Sequence, residues 1–203
     1  VAEGNVALID VPQFIRENYE VHEWRHASAI LYKDFPDEWT DIMDILNVFR
    51  LRKSYIINKG GRKTDLAQFI DTAFTSRGWE ERQFQTSIDV DGNTIHSPTH
   101  KVDEYKNHIG VEVEWNNKDP FFDRDLNNFR LLFDLRVISV GVIITRTDEL
   151  QSLFNSFGRE IGAKYGQNTT HMRHIKNRLE GGGGGGCPVM VFGIKSSLFV
   201  EDE

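Results

Sequence analysis

Apolar residues recur at intervals of three and four through the first third of the chain, and then at intervals of two or in unbroken runs. That change of period predicts helices first and a sheet later. Residues 19–35 and 36–52 read as two helices, the second opening at Pro36, and residues 63–79 as a third, entered near Thr64 and closed near Gly78. From Arg82 the period shortens, and residues 82–90 and 93–97 alternate about Asp91-Gly92 as a hairpin would. Residues 109–115 form the next predicted strand, 123–136 a helix, and 137–145 a wholly apolar strand of the buried kind. Helices over 148–157 and 170–179 and a closing buried strand over 187–194 complete the series. This order implies an α/β protein with a mixed central β-sheet flanked by helices. Residues 1–203 are expected to form a single domain, with 1–80 mainly helical and 81–203 carrying the sheet. The six glycines at 181–186 join a helix to the last core strand and are assigned no chemistry.

Composition narrows the class. At 203 residues and 39% hydrophobic, the chain can bury one good core. It has no apolar run of membrane-spanning length, and its first residues lack the basic-then-apolar order of a secretory signal, so a cytoplasmic location is expected. A single cysteine, Cys187, excludes an internal disulfide and a cysteine-based zinc site. The net charge of -7 argues against a protein coated in nucleic acid, although residues 50–63 hold six basic side chains and no acidic one. Arg50, Arg52, Lys53, Lys59, Arg62 and Lys63 there make either a solvated loop or a phosphate-contacting one.

The strand Ile109–Trp115 raises the chemical question. Its alternation places Val111, Val113 and Trp115 on one face and Gly110, Glu112 and Glu114 on the other. Half-buried strands commonly point such charges at water. A tight turn at Asn107-His108, however, would pair Lys106 with Ile109, Tyr105 with Gly110 and Glu104 with Val111, and bring Asp103 opposite Glu112. Like charges so placed repel, and a hard cation between them would remove the cost. Mg²⁺ suits such a site, because it binds through one or two carboxylates and completes its shell with water and phosphate oxygens. A slip of one residue would instead turn Glu104 toward the acids.

Asp103, eight intervening residues and then Glu112-Val113-Glu114 resemble the active-site motif of the PD-(D/E)xK nucleases, in the variant where Glu or Gln replaces the final lysine. Together with the aromatic helix, the apolar strand, the polar loop and the closing strand between Thr99 and Ile194, the pattern is similar to the BglII and BstYI family of type II restriction endonucleases, with the Glu-x-Glu ending of BamHI-like members. The resemblance implies a restriction-endonuclease-like core and Mg²⁺-dependent hydrolysis of double-stranded DNA, with Mn²⁺ able to substitute. It further implies a short palindrome with a GATC centre, 5′-phosphate and 3′-hydroxyl ends, a homodimer, and a cognate DNA methyltransferase as functional partner in a prokaryotic cytoplasm. Asp103 and Glu112 would ligate the metal with the main-chain carbonyl of Val113, and Glu114 would ligate it or orient the attacking water.

Around these acids, Asn116, Asn117 and Lys118 follow the motif strand, where amides can pair with adenine and lysine with guanine, or the segment can be an ordinary hydrogen-bonded turn. The polar segment from Lys164 to His174 occupies the place of a family recognition loop, so Lys164, Asn168, Thr169, Thr170 and Arg173 are candidate DNA contacts. Thr169 and Thr170 could equally cap the next helix, whose Arg173, Lys176 and Arg178 suit phosphates. His22 and His26 stand a helical turn apart without a third ligand, Trp24, Trp39 and Trp79 read as packing, and Cys187 as inert. Asp123 and Asp125 read as helix-dipole partners. Two other classes fit the acids less fully: a metal-free hydrolase such as a glycosidase, which EDTA would leave active, and an inactive or modification-dependent DNA-binding relative.

Overall fold

The computed structural model describes residues 10–58 and 64–202, so Lys59, Arg62 and Lys63 lie outside the described residues. In chain order the elements are α1 (Gln13–Asn18), β1 (Tyr19–Trp24), α2 (Ala27–Asp34), α3 (Pro36–Val48), β2 (Leu51–Arg52), α4 (Lys53–Ile57) and α5 (Asp65–Thr75). They continue with β3 (Glu80–Arg82), β4 (Ser87–Val90), β5 (Asn93–His96), β6 (Val102–Lys106), β7 (Ile109–Val113), α6 (Phe121–Asp134) and β8 (Val140–Arg146). The last are α7 (Leu150–Ser156), α8 (Arg159–Lys164), α9 (Met172–Glu180), β9 (Val189–Ile194) and β10 (Phe199–Val200). Among the described residues the central sheet has six strands in the order β1-β9-β8-β7-β6-β3. Strands β7, β8 and β9 are parallel, and the outer pairings are antiparallel. The mixed α/β architecture is therefore the one its residue pattern predicts.

Local chemistry accounts for several boundaries. Pro36 opens α3 and is followed by Asp37 and Glu38, which suit the positive end of the helix. Thr64 caps α5 by accepting a hydrogen bond from Ala67 N at 3.2 Å, and Gly78, at φ +82°, lets the chain turn away after it. Asn107 and His108 take left-handed conformations, with φ of 40° and 68°, and set the β6–β7 register as expected, Glu104 opposite Val111. Asp91-Gly92 makes the corresponding turn between β4 and β5.

Three expectations are corrected. Residues 19–35 are not one helix: Tyr19–Trp24 is a strand running antiparallel to β9, and Arg25 and His26, both at positive φ, separate it from α2. The edge of an apolar parallel sheet overrides local helix propensity here, because pairing with β9 satisfies the backbone along six residues. His22 and His26 are consequently on a strand and in a turn, not on one helical face. The basic stretch is also not a plain loop, since β2 pairs in parallel with β10 and α4 follows at once.

Helices cover both faces of the sheet. Ile109, Val111, Val140, Val142, Ile144, Met190 and Phe192 pack toward the N-terminal helices, α7 and α8. Ile143, Val189 and Val191 pack toward α6 and α9. On this second face the sheet is cut away where α6 crosses it. A Cβ at Gly141 of β8 would overlap the Phe129 ring, and one at Gly110 of β7 would stand 3.3 Å from the same ring. The two missing side chains bring α6 down onto the sheet beside the β7 glutamates.

Candidate active site

Alternation along β7 carries Glu112 and Glu114 onto the α6 side while Val111 and Trp115 enter the opposite core. Both glutamates are 1% exposed, so the solvated-strand reading of their charges does not hold. Among the described residues, neither carboxylate oxygen of Glu112 has a hydrogen-bond partner. Asp103, on β6, accepts a hydrogen bond from Val113 N through Oδ2 at 3.0 Å, which ties its carboxylate to the motif strand.

Helix α6 adds two residues. Asp125 is fully buried on the same stripe as Phe122, Leu126 and Phe129, and it faces the glutamates. Arg124 donates from Nε and Nη2 to Asp125 Oδ1 at 2.9 and 2.7 Å, and from Nη2 to Glu114 Oε1 at 3.2 Å. Asn117 donates to Glu114 Oε2 at 2.8 Å. His100 flanks the group, feeling the charges of Arg124 and Asp103. Asp125 thus does more than serve the helix dipole, whereas Asp123 pairs with Arg178 at 2.8 Å. The sequence signal for Asp125 is an acid on an otherwise apolar helical stripe.

Crowded, buried carboxylates hold on to protons. Burial, followed by the charges of Asp125, Asp103 and Glu114, raises Glu112 well above the usual carboxylate range. Burial and then Asp125 push Glu114 up to about 9, against the pull of Asn117 and Arg124. Asp125 rises to about 6, mainly by burial, with Arg124 opposing. Cation-binding chemistry fits this donor set: among the described residues Glu112 offers two desolvated oxygens with no partner, among further acids and with Arg124 as counter-charge. Among the described residues no three Asp, Glu, His or Cys side chains already converge as a finished cage.

The two predicted DNA-reading stretches meet. Lys118 and Thr169 form an isolated antiparallel bridge, Thr170 N donates to Asn117 O at 2.9 Å, and Asp119 N to Asn168 O at 3.0 Å. Segment 116–119 therefore lies beside segment 168–170. Arg146, at the end of β8, supports this platform by donating from Nη2 to Tyr165 O at 2.9 Å and Thr169 Oγ1 at 2.7 Å. Asn117, Lys118, Asn168 and Arg173 are exposed, Asn116 and Thr169 half-buried, and Thr170 buried. Helix α9 starts at Met172 behind His171, so neither threonine caps it. Lys164 donates to Ile56 O and Asn58 O at the end of α4. Lys176 and Arg178 are held by Glu20 and by Asp119 and Asp123. Cys187 is buried with its thiol pushed up to about 12, as an inert residue should be.

A mixed sheet crossed by α6, with Glu112 on β7, Glu114 just past its end and an aspartate on the adjoining hairpin strand, defines the restriction-endonuclease class of α/β proteins. The family model described as "Restriction endonuclease BglII/BglIII" matches residues 19–194, and the chain belongs to this family. It is a site-specific deoxyribonuclease of a restriction system, a hydrolase whose substrate is DNA. No curated protein matches the chain. The match includes β1, the strand hidden in the predicted first helix.

Proposed function

We propose that the protein hydrolyses double-stranded DNA with Mg²⁺ at a short palindrome with a GATC centre, leaving 5′-phosphate and 3′-hydroxyl ends. The observation that carries this reading is Glu112, whose two buried oxygens have no partner among the described residues and lie in the company of Asp103, Glu114 and Asp125. A buried carboxylate without partners is costly unless a cation or a proton answers it. Asp103 and Glu112, with the main-chain carbonyl of Val113, would hold Mg²⁺, and Mn²⁺ could take its place. When bound, the ion supplies positive charge to the phosphoryl oxygens. Glu114, fixed by Asn117 and Arg124, orients the attacking water or adds a ligand. Water oxygen bonds to phosphorus as the P–O3′ bond breaks, one water proton is released, and the 3′ oxygen takes up a proton.

Asn116, Asn117, Lys118, Asn168, Thr169, Thr170 and Arg173 form the platform that meets the duplex, and the bridge between the two segments makes it one surface. Lys164, which also holds the end of α4, is the further contact at the start of the second segment. A palindromic site implies a homodimer whose two-fold matches that of the DNA. A cognate methyltransferase in the same cytoplasm would protect the host sequence, and residues 1–203 act as one nuclease domain.

The test is incubation of purified protein with unmethylated phage DNA in Mg²⁺ or EDTA, followed by sequencing of the ends. Discrete Mg²⁺-dependent fragments, lost in Asp103→Ala and Glu112→Ala proteins, are expected. Intact DNA in Mg²⁺ would overturn the reading in favour of an inactive or modification-dependent relative, and full activity in either variant would overturn the roles given to Asp103 and Glu112.

A further inference from the structure

Arg124 is built to point outward from a buried anchor. Its Nε and Nη2 both bond to Asp125 Oδ1, its guanidinium carbon lies 4.3 Å from the Phe121 ring centroid, and Nη2 also touches Glu114. The third nitrogen, Nη1, enters none of these bonds. Asp125 is 0% exposed while the Arg124 side chain is 32% exposed. An ion pair serving only the fold is often matched or bettered by apolar groups of similar volume, because desolvating the charges is costly. Here the carboxylate is sunk and the guanidinium emerges beside Glu114.

The charge balance says what it meets. Arg124 is the cation that offsets both Glu112 and Glu114. A phosphodiester entering this site adds one negative charge, and in-line attack adds further charge to its non-bridging oxygens. A donor already fixed in place stabilises that developing charge without reorganising. The planar fork of arginine also matches phosphate geometry, and Asp125 and Phe121 have removed much of its rotamer freedom beforehand.

We propose that Arg124 is a further catalytic residue, presenting its free Nη1 edge to a non-bridging oxygen of the scissile phosphate, with Asp125 as the residue that positions it. The inference rests on the phosphodiester reading above. The test compares Arg124→Ala, Asp125→Asn and the double variant Arg124→Ala/Asp125→Asn of the full chain, once wild-type cleavage has identified the site. Single-turnover cleavage, duplex affinity in Ca²⁺, and cleavage of the two scissile phosphorothioate diastereomers are measured.

Loss of Arg124 should slow cleavage about 100-fold while duplex affinity changes less than about threefold, as for removal of one oxyanion donor. The preference between diastereomers should shrink in Arg124→Ala, and also in Asp125→Asn, where the arm has lost its anchor. The double variant removes the buried Asp125 charge together with its counter-charge, while Glu112 and Glu114 can answer the loss of Arg124 by holding their protons, so it should fold more readily than Arg124→Ala, and it should stay slow. Wild-type cleavage rates in the double variant, or in Arg124→Ala, would show that Arg124 only neutralises Asp125 and would overturn the proposal. A wild-type protein that leaves DNA intact would instead defeat the nuclease reading beneath it.

Discussion

Replacing Gly141 by alanine tests how the site is assembled. A Cβ there would overlap the Phe129 ring at Cδ2, Cε2 and Cγ, so either the ring or the whole of α6 must retreat. Gly141 does not have positive φ, so alanine adopts its backbone conformation without strain and should gain about 0.4–1 kcal/mol by restricting the unfolded chain. Overpacking of a well-filled core costs about 1–3 kcal/mol, and contact with three ring atoms places this case at the upper end. The net loss is about 2 kcal/mol, or about 4–8 °C in Tm for a chain of this size. Gly110→Ala provides the graded comparison: its Cβ would sit 3.3 Å from Phe129 and Val102, close enough to press on them without overlap, so its cost should be smaller. Activity should fall with stability at Gly141, because Arg124 and Asp125 ride on the displaced helix and a shift of about 1 Å can cost about 100-fold in rate. Urea unfolding, Tm and single-turnover cleavage measure these effects. In a double-mutant cycle, Phe129→Leu should recover part of the Gly141→Ala loss by vacating the space. If Gly141→Ala matched the wild type in both stability and rate, close approach of α6 would not be what positions the site.

Two further predictions concern the acids. Glu112, Glu114 and Asp125 bind protons more tightly folded than unfolded, so their stabilising contribution is complete below the unfolded carboxylate pKa of about 4 and is lost as pH rises through about 6 for Asp125 and about 9 for Glu114. In EDTA, Tm of the wild type relative to Glu114→Gln should therefore fall as the pH is raised from 6 toward 9, and excess Mg²⁺ should shrink the fall; a difference rising with pH would contradict the burial argument. Asn117→Ala removes the hydrogen bond that pulls the Glu114 pKa down, so the acidic limb of the pH–rate profile should move to higher pH; an unmoved limb would mean that ionisation of Glu114 does not govern the rate.

What was legible depended on whether the information was local. The β6–β7 turn could be counted from Asn107-His108 because left-handed turn residues fix hairpin register, and that register placed the acids. The caps of α3 and α5 were readable for the same reason. Strand β1 was not, since Tyr19–Trp24 becomes a strand through pairing with residues more than 160 positions away. The contribution of α6 was harder to read: Asp125 is one of two acids at a helix start, its place on the apolar stripe is the only local hint, and the approach permitted by Gly110 and Gly141 sets it beside the glutamates. The meeting of Lys118 with Thr169 likewise depends on how two loops are held at the ends of parallel strands.

The same approach explains why so unfavourable a group of charges can persist. Burying Glu112, Glu114 and Asp125 raises the energy of their ionised forms, and Arg124 answers only part of that cost. The large apolar surface buried on both sides of the sheet supplies the stability against which this strain is held. Relaxing the acids into water would lower that strain, but it would also remove the desolvation that makes their interaction with a cation or phosphate strong. Stability is thus exchanged for an electrostatic field fixed before substrate arrives, and the glycines under α6 set its geometry. On this argument, Glu114→Gln should stabilise the metal-free protein at alkaline pH while slowing cleavage, the opposite signs expected of a residue retained for chemistry and not for the fold.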